Sequence, residues 1–536
     1  MGNPFGEADN HLAMLWRASQ SIGASDAVLV NFPLGIPIPI MDPVQLPIAI
    51  PALLAHPVFG YNLLILINIL GAALGCYVLA RVFVPEKAAL TAVAVAVTSP
   101  FLSGVVEFGI TEAMPIGFLG LHLAGLFLYA REGRARHAWM AGGALACFAF
   151  SGWYHALFAA IANAILVPWL GYRSKRWRGL LLQGLMAALC LVPSFLQFLS
   201  VRSYWAERWH APESAPWAPN PFWHERAQYG TDLLNWIWPT PGSLSLAPAT
   251  YLGFITLGLA AWGWTHKKNA TAPLLAAFGA LLLLSLGHWV RVAGHLLHVG
   301  SVPIAGPAGL LTDVFPMLEG VSHWYRAIGP ATVCLAALAA IGTHALSKRW
   351  AAAWWVLPIL ITIESITLSP VAWPRTQYDP SPPEAYANLP AGPIVELPFD
   401  NAREPFSATP ARIYERWQPL HGHAIAENYE GPDALLQTSR LLSVADALCG
   451  LRPTVPHSHR GKEKLRDPNP LSDEKLLREE VANLRDLGVG SVLLHRERAQ
   501  DTTQVEALLT RAFGASTGNA DLRIWAVLPG DSTPPE

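Results

Sequence analysis

The sequence of 536 residues contains little charge, because Asp, Glu, Lys and Arg together make up only 14% of it. Its net charge of −2 excludes the basic excess that a nucleic-acid-binding surface requires. Hydrophobic residues make up 52%, so too little charge remains to cover a water-soluble globule of this length. The composition therefore indicates that lipid covers part of the surface.

Cysteine is also scarce. The five cysteines form no CxxC pair and no spacing typical of a disulfide framework or a zinc site. All but one of them lie inside apolar segments, which favours buried thiols without a chemical role.

Apolar segments are abundant: there are about ten, if a membrane span takes roughly 20 predominantly apolar residues. Those that approach or meet this length are 59–80, 88–106, 114–130, 153–172, 179–199, 249–265, 271–289, 327–346 and 351–369. Segment 137–150 is shorter, and we expect it to be a partial or tilted span. The pattern predicts an all-α polytopic membrane domain over residues 59–372. Inside its last span, Glu364 should pair or face a polar cavity, because an isolated carboxylate in lipid costs roughly 2.5 kcal/mol or more.

Lys and Arg fall on alternate connections between these segments, as the positive-inside rule describes. The basic connections are predicted to be cytoplasmic and carry Arg81, Lys87, Arg131, Arg134, Arg136, Arg173, Lys175, Arg176, Arg178, Lys267, Lys268, Lys348 and Arg349. The connections predicted to face out are 107–113, the short break at 151–152, 200–248 and 290–326. An even number of spans then places residues 1–58 and residues 373–536 together on the outer side.

The sequence opens directly on the polar outer region 1–58, without the charged and apolar segments that would target this region across the membrane. Either the 59–80 span translocates this tail or a helix preceding Met1 does, and the second is our expectation. Residues 31–57 are rich in Pro, which removes helical hydrogen-bond donors and disfavours helix just before it. They predict short interfacial helices and turns on the membrane surface, with 44–55 as the strongest helix.

The outer connection 200–248 is dense in Trp and Tyr. These side chains favour the lipid headgroup layer, so the segment is typical of a membrane-interface belt. The alternative is a wall of an acceptor groove, since aromatic rings also stack on sugars.

Residues 373–536 have the composition of a soluble α/β domain. The predicted strands are 392–399, 491–495 and 522–528, and the predicted helices are 433–448, 473–487 and 504–513. Ser472 is the expected N-cap of the second helix, and Gly488 follows its end. The domain contains no glycine-rich phosphate loop, HExxH pair or nucleophile elbow. We therefore expect it to cover, recognise or position a substrate, and not to catalyse.

The strongest candidate for chemistry is the stretch 6–11 (Gly-Glu-Ala-Asp-Asn-His), followed by Trp16, in the first outer region. Its two carboxylates, Glu7 and Asp9, have an amide and the imidazole of His11 beside them. Such a set can hold a divalent cation such as Mg²⁺ or Mn²⁺ through oxygen ligands, or can deprotonate an acceptor hydroxyl. A solvated acidic pair or a helix N-cap is the simpler alternative.

This acidic stretch, together with Phe-Pro-Leu-Gly at 32–35, resembles the first outer loop of the GT-C class of multi-pass glycosyltransferases. The likeness continues through Asn-Leu-Leu-Ile-Leu-Ile-Asn-Ile-Leu-Gly (62–71), Tyr-Val-Leu-Ala-Arg (77–81), Ser-Pro-Phe (99–101), Ser-Gly-Trp-Tyr-His (151–155), Tyr-Leu-Gly-Phe (251–254), Phe-Pro-Met-Leu-Glu-Gly (315–320) and Tyr-Arg (325–326). The sequence departs from the class at Glu7, where many members have Asp, and in showing no helix before the motif.

The resemblance implies transfer of a sugar from a polyprenyl-phosphate donor to a glycan, lipid or protein acceptor, on the outer face of a bacterial inner membrane. It implies Asp9 as the catalytic base with Glu7 as its partner, and these two carboxylates as the holders of any divalent cation. His11 and Tyr325 are expected to contact the substrate.

Further polar candidates lie at the outer ends of the predicted spans. Glu107 and Glu112 can complete an acidic site, although N-terminal helix charge also explains Glu112. Arg326 can grip a lipid phosphate or snorkel to the headgroups. Tyr154 and His155 interrupt an apolar run, so they are candidates to bind the substrate, and a hydrogen-bonded packing histidine is the alternative.

Two other functions stay open. A transporter or flippase for a lipid-linked glycan would show paired repeats and broken helices near the membrane midplane, and the sequence has no convincing repeat. A non-catalytic membrane scaffold would bind a partner through its outer domain and would tolerate replacement of Glu7 and Asp9.

Overall fold

A computed structural model describes residues 8–20, 44–208, 230–239, 247–315, 318, 321, 323–371, 381–398, 410–426, 435, 438–449, 473–499 and 502–528 of the chain. This part is mostly helical, with a small sheet towards the C-terminus. The chain divides into two compact units. The helical unit comprises Met1–Gly2, Met41–Ala49 and Asn62–Gln377, and the α/β unit comprises Asn3–Ile40, Ile50–Tyr61 and Tyr378–Glu536.

The α-helices up to residue 368 lie mostly in the predicted apolar segments. They are α1 (Ala8–Gln20), α2 (Leu46–Ala55), α3 (Pro57–Arg81), α4 (Glu86–Thr98), α5 (Pro100–Phe108), α6 (Gly117–Glu132), α7 (Ala135–Ser151), α8 (Trp153–Ser174), α9 (Trp177–Arg208), α10 (Phe254–His266), α11 (Lys268–Leu284), α12 (Pro307–Val314), α13 (Ile328–Ser347) and α14 (Ala353–Leu368). Between α11 and α12, two short antiparallel pairs occupy a connection predicted to be a loop. These pairs are β1 (Arg291–Val292) with β2 (His295–Leu296), and β3 (His298–Val299) with β4 (Val302–Pro303).

Several of these helices have the length and apolar character of membrane spans. Within the described residues, those long enough are Pro57–Arg81, Glu86–Phe108, Thr111–Glu132, Tyr154–Ser174 and Trp324–Ser347. On α3 the side chains of Leu66, Leu70 and Leu74 form an exposed stripe with helical spacing. Such a stripe is typical of a surface that lipid covers. The length and composition of these helices support a membrane protein. The number of about ten spans stays a prediction.

The predicted span 88–106 lies within Glu86–Phe108, which is long enough and apolar enough to cross a membrane, and it consists of two helices. Helix α4 ends at Thr98 and α5 begins at Pro100, because Pro lacks an N–H group and disfavours helix at the preceding residue. Ser99 takes a ψ of 135° and its Oγ accepts the backbone N–H of Leu102 at 3.2 Å, which caps α5. The sequence predicts that an outer connection begins at residue 200. This bound is wrong, because α9 continues to Arg208.

The basic connections of the helical unit meet at one end. Arg131 donates to the carbonyl oxygen of Val82 at 3.3 Å, and Lys267 donates to that of Phe83 at 3.0 Å. Arg176 donates to the carbonyl oxygens of Tyr129 and Ala130 at the C-terminal end of α6, at 3.1 and 3.0 Å. Connections that the charge pattern assigned to one side of a membrane therefore lie together, while the identity of that side stays a prediction.

Helix α13 is the buried centre of the helical unit. Each residue from Ile328 to Thr343 is buried, and α13 packs against α4, α10 and α11. Small residues allow this close packing, because they let the backbones of neighbouring helices approach each other. At Gly342 an added Cβ would collide with the carbonyl oxygen of Leu259 on α10.

Glycine also sets the crossing of α3 and α6. A Cβ added at Gly75 would collide with the carbonyl oxygen of Gly117, and one added at Gly117 would collide with that of Gly71. At Gly71 itself an added Cβ would meet no atom within 4 Å. The two helices are therefore in backbone contact at Gly75 and Gly117.

The prediction that Glu364 pairs is confirmed. Its carboxylate accepts the hydroxyl of Tyr251 at 2.7 Å and the backbone N–H groups of Phe254 and Ile255 at 2.6 and 3.1 Å. These N–H groups belong to the first turn of α10, where no partner exists within the helix. A carboxylate there also complements the positive end of the helix dipole.

The C-terminal part of the α/β unit is built on a four-stranded sheet. Its strands are β5 (Ile394–Leu397), β6 (Ser491–His495), β7 (Thr517–Gly518) and β8 (Leu522–Ala526), and its helices are α15 (Pro410–His421), α16 (Arg440–Leu448), α17 (Glu474–Asp486) and α18 (Thr503–Phe513). The strand order is β5-β6-β8-β7, with β5 parallel to β6 and the other pairs antiparallel.

Both faces of this sheet are covered, since β5 and β6 are buried along their whole length. Side chains alternate between the faces, so Val492 and Leu494 pack in one core and Leu493 packs with Tyr414 and Trp417 of α15 in the other. The strands predicted at 392–399, 491–495 and 522–528 are confirmed within a few residues at their ends.

The predicted helix 473–487 is confirmed as α17, and its predicted N-cap is wrong. Asp473 is the N-cap, and its carboxylate accepts the backbone N–H of Lys475 at 2.8 Å. Gly488 takes a φ of +80° just after the helix, a conformation that glycine adopts at low cost. Helix 504–513 corresponds to α18, and the described part of 433–448 includes α16.

We predict that Gly75→Ala destabilises the helical unit and that Gly71→Ala does not. The first change forces α3 away from α6, and overpacking of this kind costs about 1–3 kcal/mol or more. The second adds a methyl group to open space and favours helix slightly. The midpoint of thermal unfolding of the full chain in detergent measures the difference, and equal midpoints would contradict the glycine contact.

Candidate functional site

A polar cluster lies where three helical stretches of the helical unit begin. Its members, which we call the Arg326 cluster, are Glu112, Tyr154, His155, His323, Tyr325 and Arg326. Glu112 precedes α6 in the turn Thr111–Ala113, Tyr154 and His155 start α8, and Arg326 precedes α13 in the turn Trp324–Ala327. Helix N-termini carry unsatisfied N–H groups and the positive end of the helix dipole, so their convergence favours negative charge.

Arg326 and Glu112 form an ion pair, with Nη1 of the arginine 2.9 Å from Oε1 of the glutamate. Their side chains are only 8% and 19% exposed, so both charges have lost most of their water, a cost that good pairing must offset. The guanidinium carbon also lies 5.0 Å from the centre of the Tyr154 ring, at a cation–π distance. One side chain thus links the starts of α6, α8 and α13.

The remaining members of the cluster are aromatic or imidazole rings. The hydroxyl of Tyr154 lies 3.3 Å from Nδ1 of His323 and accepts the backbone N–H of His323 at 3.4 Å. The ring of Tyr325 meets that of His323 edge-on, with centroids 5.8 Å apart. His155 is buried and stacks on Phe148 with centroids 4.4 Å apart. The result is a buried charge surrounded by hydrogen-bonding rings.

The structure therefore brings together most of the residues predicted to bind substrate in the helical unit. These are Glu112, Tyr154, His155, Tyr325 and Arg326. Glu107 is buried in the last turn of α5. His323 joins them, and the sequence indicated it only through its position next to Arg326.

The predicted catalytic residue Asp9 lies in the α/β unit, in the first turn of α1. The described part of the acidic stretch, from Ala8, is helical, and an acidic residue in a first turn stabilises a helix. Asp9 is buried, and its Oδ2 lies 3.6 Å from Nη1 of Arg416 on α15. His11 is buried on the same helix, whereas Glu7 lies outside the described residues.

A second contact joins α1 to α15. Nε of Arg17 donates to Oε1 of Gln418 at 2.7 Å, and both side chains are buried. Nε2 of Gln418 donates to the carbonyl oxygen of His423 at 3.2 Å. The N-terminal helix is thus held by polar side chains of the C-terminal domain.

The other face of α15 packs on the sheet through an aromatic layer. The rings of Tyr414 and Trp417 stack on that of His495, with centroids 4.7 and 5.5 Å apart. Nε2 of His495 lies 3.1 Å from the hydroxyl of Tyr386, which donates to the buried carboxylate of Glu396. These residues fix the position of α15 relative to β5 and β6.

Sequence reasoning missed Arg416, Gln418, Glu396 and His495. A signal existed for the last two, since Glu396 interrupts an apolar strand and His495 ends one. A polar residue at an inward position of a buried strand needs a buried partner. No comparable signal marked Arg416 on a surface-like helix.

Among the described residues, no group of three or more His, Cys, Asp or Glu side chains could hold a metal ion. Of the two predicted ligands, only Asp9 is described. The guanidinium of Arg416 beside it disfavours a second positive charge at that position. A divalent cation at this place has no support from the residues that the structure describes.

No protein-family model matches the chain, and no curated protein matches it. Two arrangements of buried polar side chains are therefore the candidates for a functional site. One is the buried ion pair with its rings in the helical unit, and the other is the carboxylate and guanidinium pair in the α/β unit.

We predict that Glu112→Ala destabilises the helical unit by about 3 kcal/mol, the lower end of the range for breaking a buried ion pair. The change removes the charge that compensates Arg326 at 2.9 Å. Glu86→Ala, on the exposed first turn of α4, is the matched control and should have almost no effect. Thermal unfolding of the full chain in detergent is the measurement, and equal loss in both variants would contradict the importance of this pair.

We predict that acid destabilises the α/β unit through His421. Burial, and secondarily the charge of His423, lowers the pKa of His421 from 6.5 to about 3. Below pH 6.5 the unfolded chain binds a proton that the folded chain does not bind until about pH 3. The contribution of His421 to the free energy of unfolding is therefore fully present above pH 6.5. It falls by about 2 kcal/mol between pH 6.5 and pH 5.

The unfolding midpoint at pH 7 and pH 5, compared in wild type and His421→Gln, tests this dependence. The glutamine does not titrate and keeps an acceptor for the backbone N–H that His421 receives from His423 at 3.1 Å. His266→Gln, at an exposed position, should behave as wild type. An unchanged pH dependence in His421→Gln would show that another group is responsible.

Proposed function

We propose that the chain is an integral membrane glycosyltransferase of GT-C type, which moves a sugar from a polyprenyl-phosphate donor to an acceptor hydroxyl on the outer face of the membrane. The observation that carries the proposal is the Arg326 cluster, a buried charge with hydrogen-bonding rings at the common start of three apolar helical stretches. A packed helical protein has no structural need for a buried ion pair, because apolar residues of similar volume are often as stable.

The chemistry of the cluster suits a lipid-linked phosphate. A guanidinium can contact phosphate oxygens in a bidentate manner and neutralises their charge. Glu112 holds Arg326 in place when the donor is absent, and the phosphate takes over this role when it binds. The rings of Tyr154 and Tyr325 provide flat faces of the kind that stack on a sugar.

Asp9 is assigned separately as the general base. The acceptor hydroxyl passes its proton to the carboxylate while its oxygen forms a bond to the sugar's anomeric carbon. The bond from that carbon to the phosphate oxygen breaks, and the phosphate leaves on its lipid. A positioned carboxylate contributes typically about 10²- to 10⁴-fold by general base catalysis.

Sugar transfer in membranes tests the proposal. Membranes that contain equal amounts of wild type, Asp9→Asn or Asp486→Asn would be supplied with a panel of radiolabelled polyprenyl-phosphate sugars. We expect transfer by wild type and by Asp486→Asn, which makes the same chemical change at an exposed position. The rate of transfer by Asp9→Asn should be lower than that of wild type by at least about 10²-fold.

Three results would contradict the proposal or a part of it. Normal transfer by Asp9→Asn would remove Asp9 from the mechanism. Movement of an intact lipid-linked glycan across the bilayer, without any transfer, would favour the transporter. Absence of both activities in correctly inserted protein would favour the scaffold.

A further inference from the structure

Helix α15 is placed rigidly within the α/β unit. Tyr414 and Trp417 pack in the core beside the sheet, and His495 stacks on both rings. Gln418, on the same helix, is fully buried and hydrogen-bonded to Arg17 and to the carbonyl oxygen of His423. A residue carried by such a helix has a defined position, which a functional side chain on a loop would lack.

Arg416 projects from this rigid helix towards α1. Its guanidinium carbon lies 5.7 Å from the centre of the Trp417 ring, which restricts its orientation through a cation–π contact. Its Nη1 lies 3.6 Å from Oδ2 of Asp9, and the two side chains are 12% and 3% exposed. The distance exceeds that of a direct N–H···O hydrogen bond, so the contact is electrostatic.

We propose that Arg416 is a positioning residue for Asp9, so that the C-terminal domain supplies a working part of the acidic site and is not merely a cover over it. The proposal rests on the role of Asp9 in the proposed function. The guanidinium holds the carboxylate in one place and stabilises its negative charge before the acceptor arrives. In this proposal, the charge of Arg416 affects the rate of sugar transfer through Asp9.

A positioning role has a different kinetic signature from a structural one. Loss of Arg416 should lower kcat, since the carboxylate is misplaced, and leave the KM for the lipid-linked donor nearly unchanged. Misplacement of a reacting group by about 1 Å costs about 10²-fold in rate. Arg416→Gln should therefore lose about 10² in kcat, and Arg416→Lys, which keeps the charge, should recover part of that loss.

Gln418→Ala is the matched control. It breaks the neighbouring hydrogen bond between α1 and α15 and leaves the charge beside Asp9 intact. We expect a lower unfolding midpoint with nearly normal kcat. If Gln418→Ala and Arg416→Gln lose activity in proportion to their loss of stability, the contact is only structural and the proposal is wrong.

The double variant Asp9→Asn with Arg416→Gln completes the experiment. Because Arg416 acts through Asp9, the second change should add nothing to the first. A further loss of about tenfold or more in the double variant would show that Arg416 has a separate role and would overturn the proposal.

The outcomes also separate this proposal from the proposed function. Wild-type transfer that Asp9→Asn abolishes and Arg416→Gln leaves unchanged overturns the role of Arg416 and keeps the glycosyltransferase. Normal transfer by Asp9→Asn removes Asp9 from the mechanism and overturns the role of Arg416, while the glycosyltransferase stays. No transfer by wild type from any donor overturns both.

Discussion

Polar groups inside the helical unit must find partners within the protein, because neither a packed apolar core nor lipid offers them water. Glu364 meets this constraint by accepting three hydrogen bonds at the start of α10. His122, fully buried in α6, meets it through the carbonyl oxygen of Ala141 and the side chain of Asn163, at 2.8 and 2.9 Å. Each of these polar residues joins two or more helices, so the solution of a local problem also fixes the helix arrangement.

The polar groups of the Arg326 cluster also find partners within the protein, but the chemical nature of the partners is different. Glu364 and His122 are satisfied by groups that belong to helix backbones or neutral side chains. Arg326 and Glu112 instead pair two full charges, which an anionic ligand can separate by replacing the carboxylate. Hydrogen bonds to backbone groups and neutral side chains hold helices in place, whereas a pair of opposite charges can also be opened by a competing anion.

Hydropathy predicted the helices well, because an apolar run of the right length has few alternatives. The segments 59–80 and 137–150 correspond closely to α3 and α7. The break at Ser99 could have been predicted from Pro100, since that signal is local. Charge sorting also anticipated that Glu112, Tyr154 and Arg326 belong at one end of the helical unit, because all three lie on or beside connections without basic excess.

The surroundings of Asp9 could not be predicted in this way. Hydrophobic periodicity and charge patterns describe a segment and its immediate neighbours, whereas Arg416 comes from a helix near the other end of the chain. Glu396 lies within an apolar strand and His495 ends one, which indicates a buried partner without saying which one. Long-range pairs of this kind depend on the tertiary fold.

The pairing of α1 with α15 gives the chain a fixed order of completion during synthesis. Arg17 and Gln418 are separated by 401 positions, so at 5–20 residues per second the ribosome makes the first about 20 to 80 seconds before the second. During that interval every helix of the helical unit is made and α1 has no partner on α15. The surroundings of Asp9 therefore form only after the membrane helices have been synthesised, and a chain that stops early never acquires them.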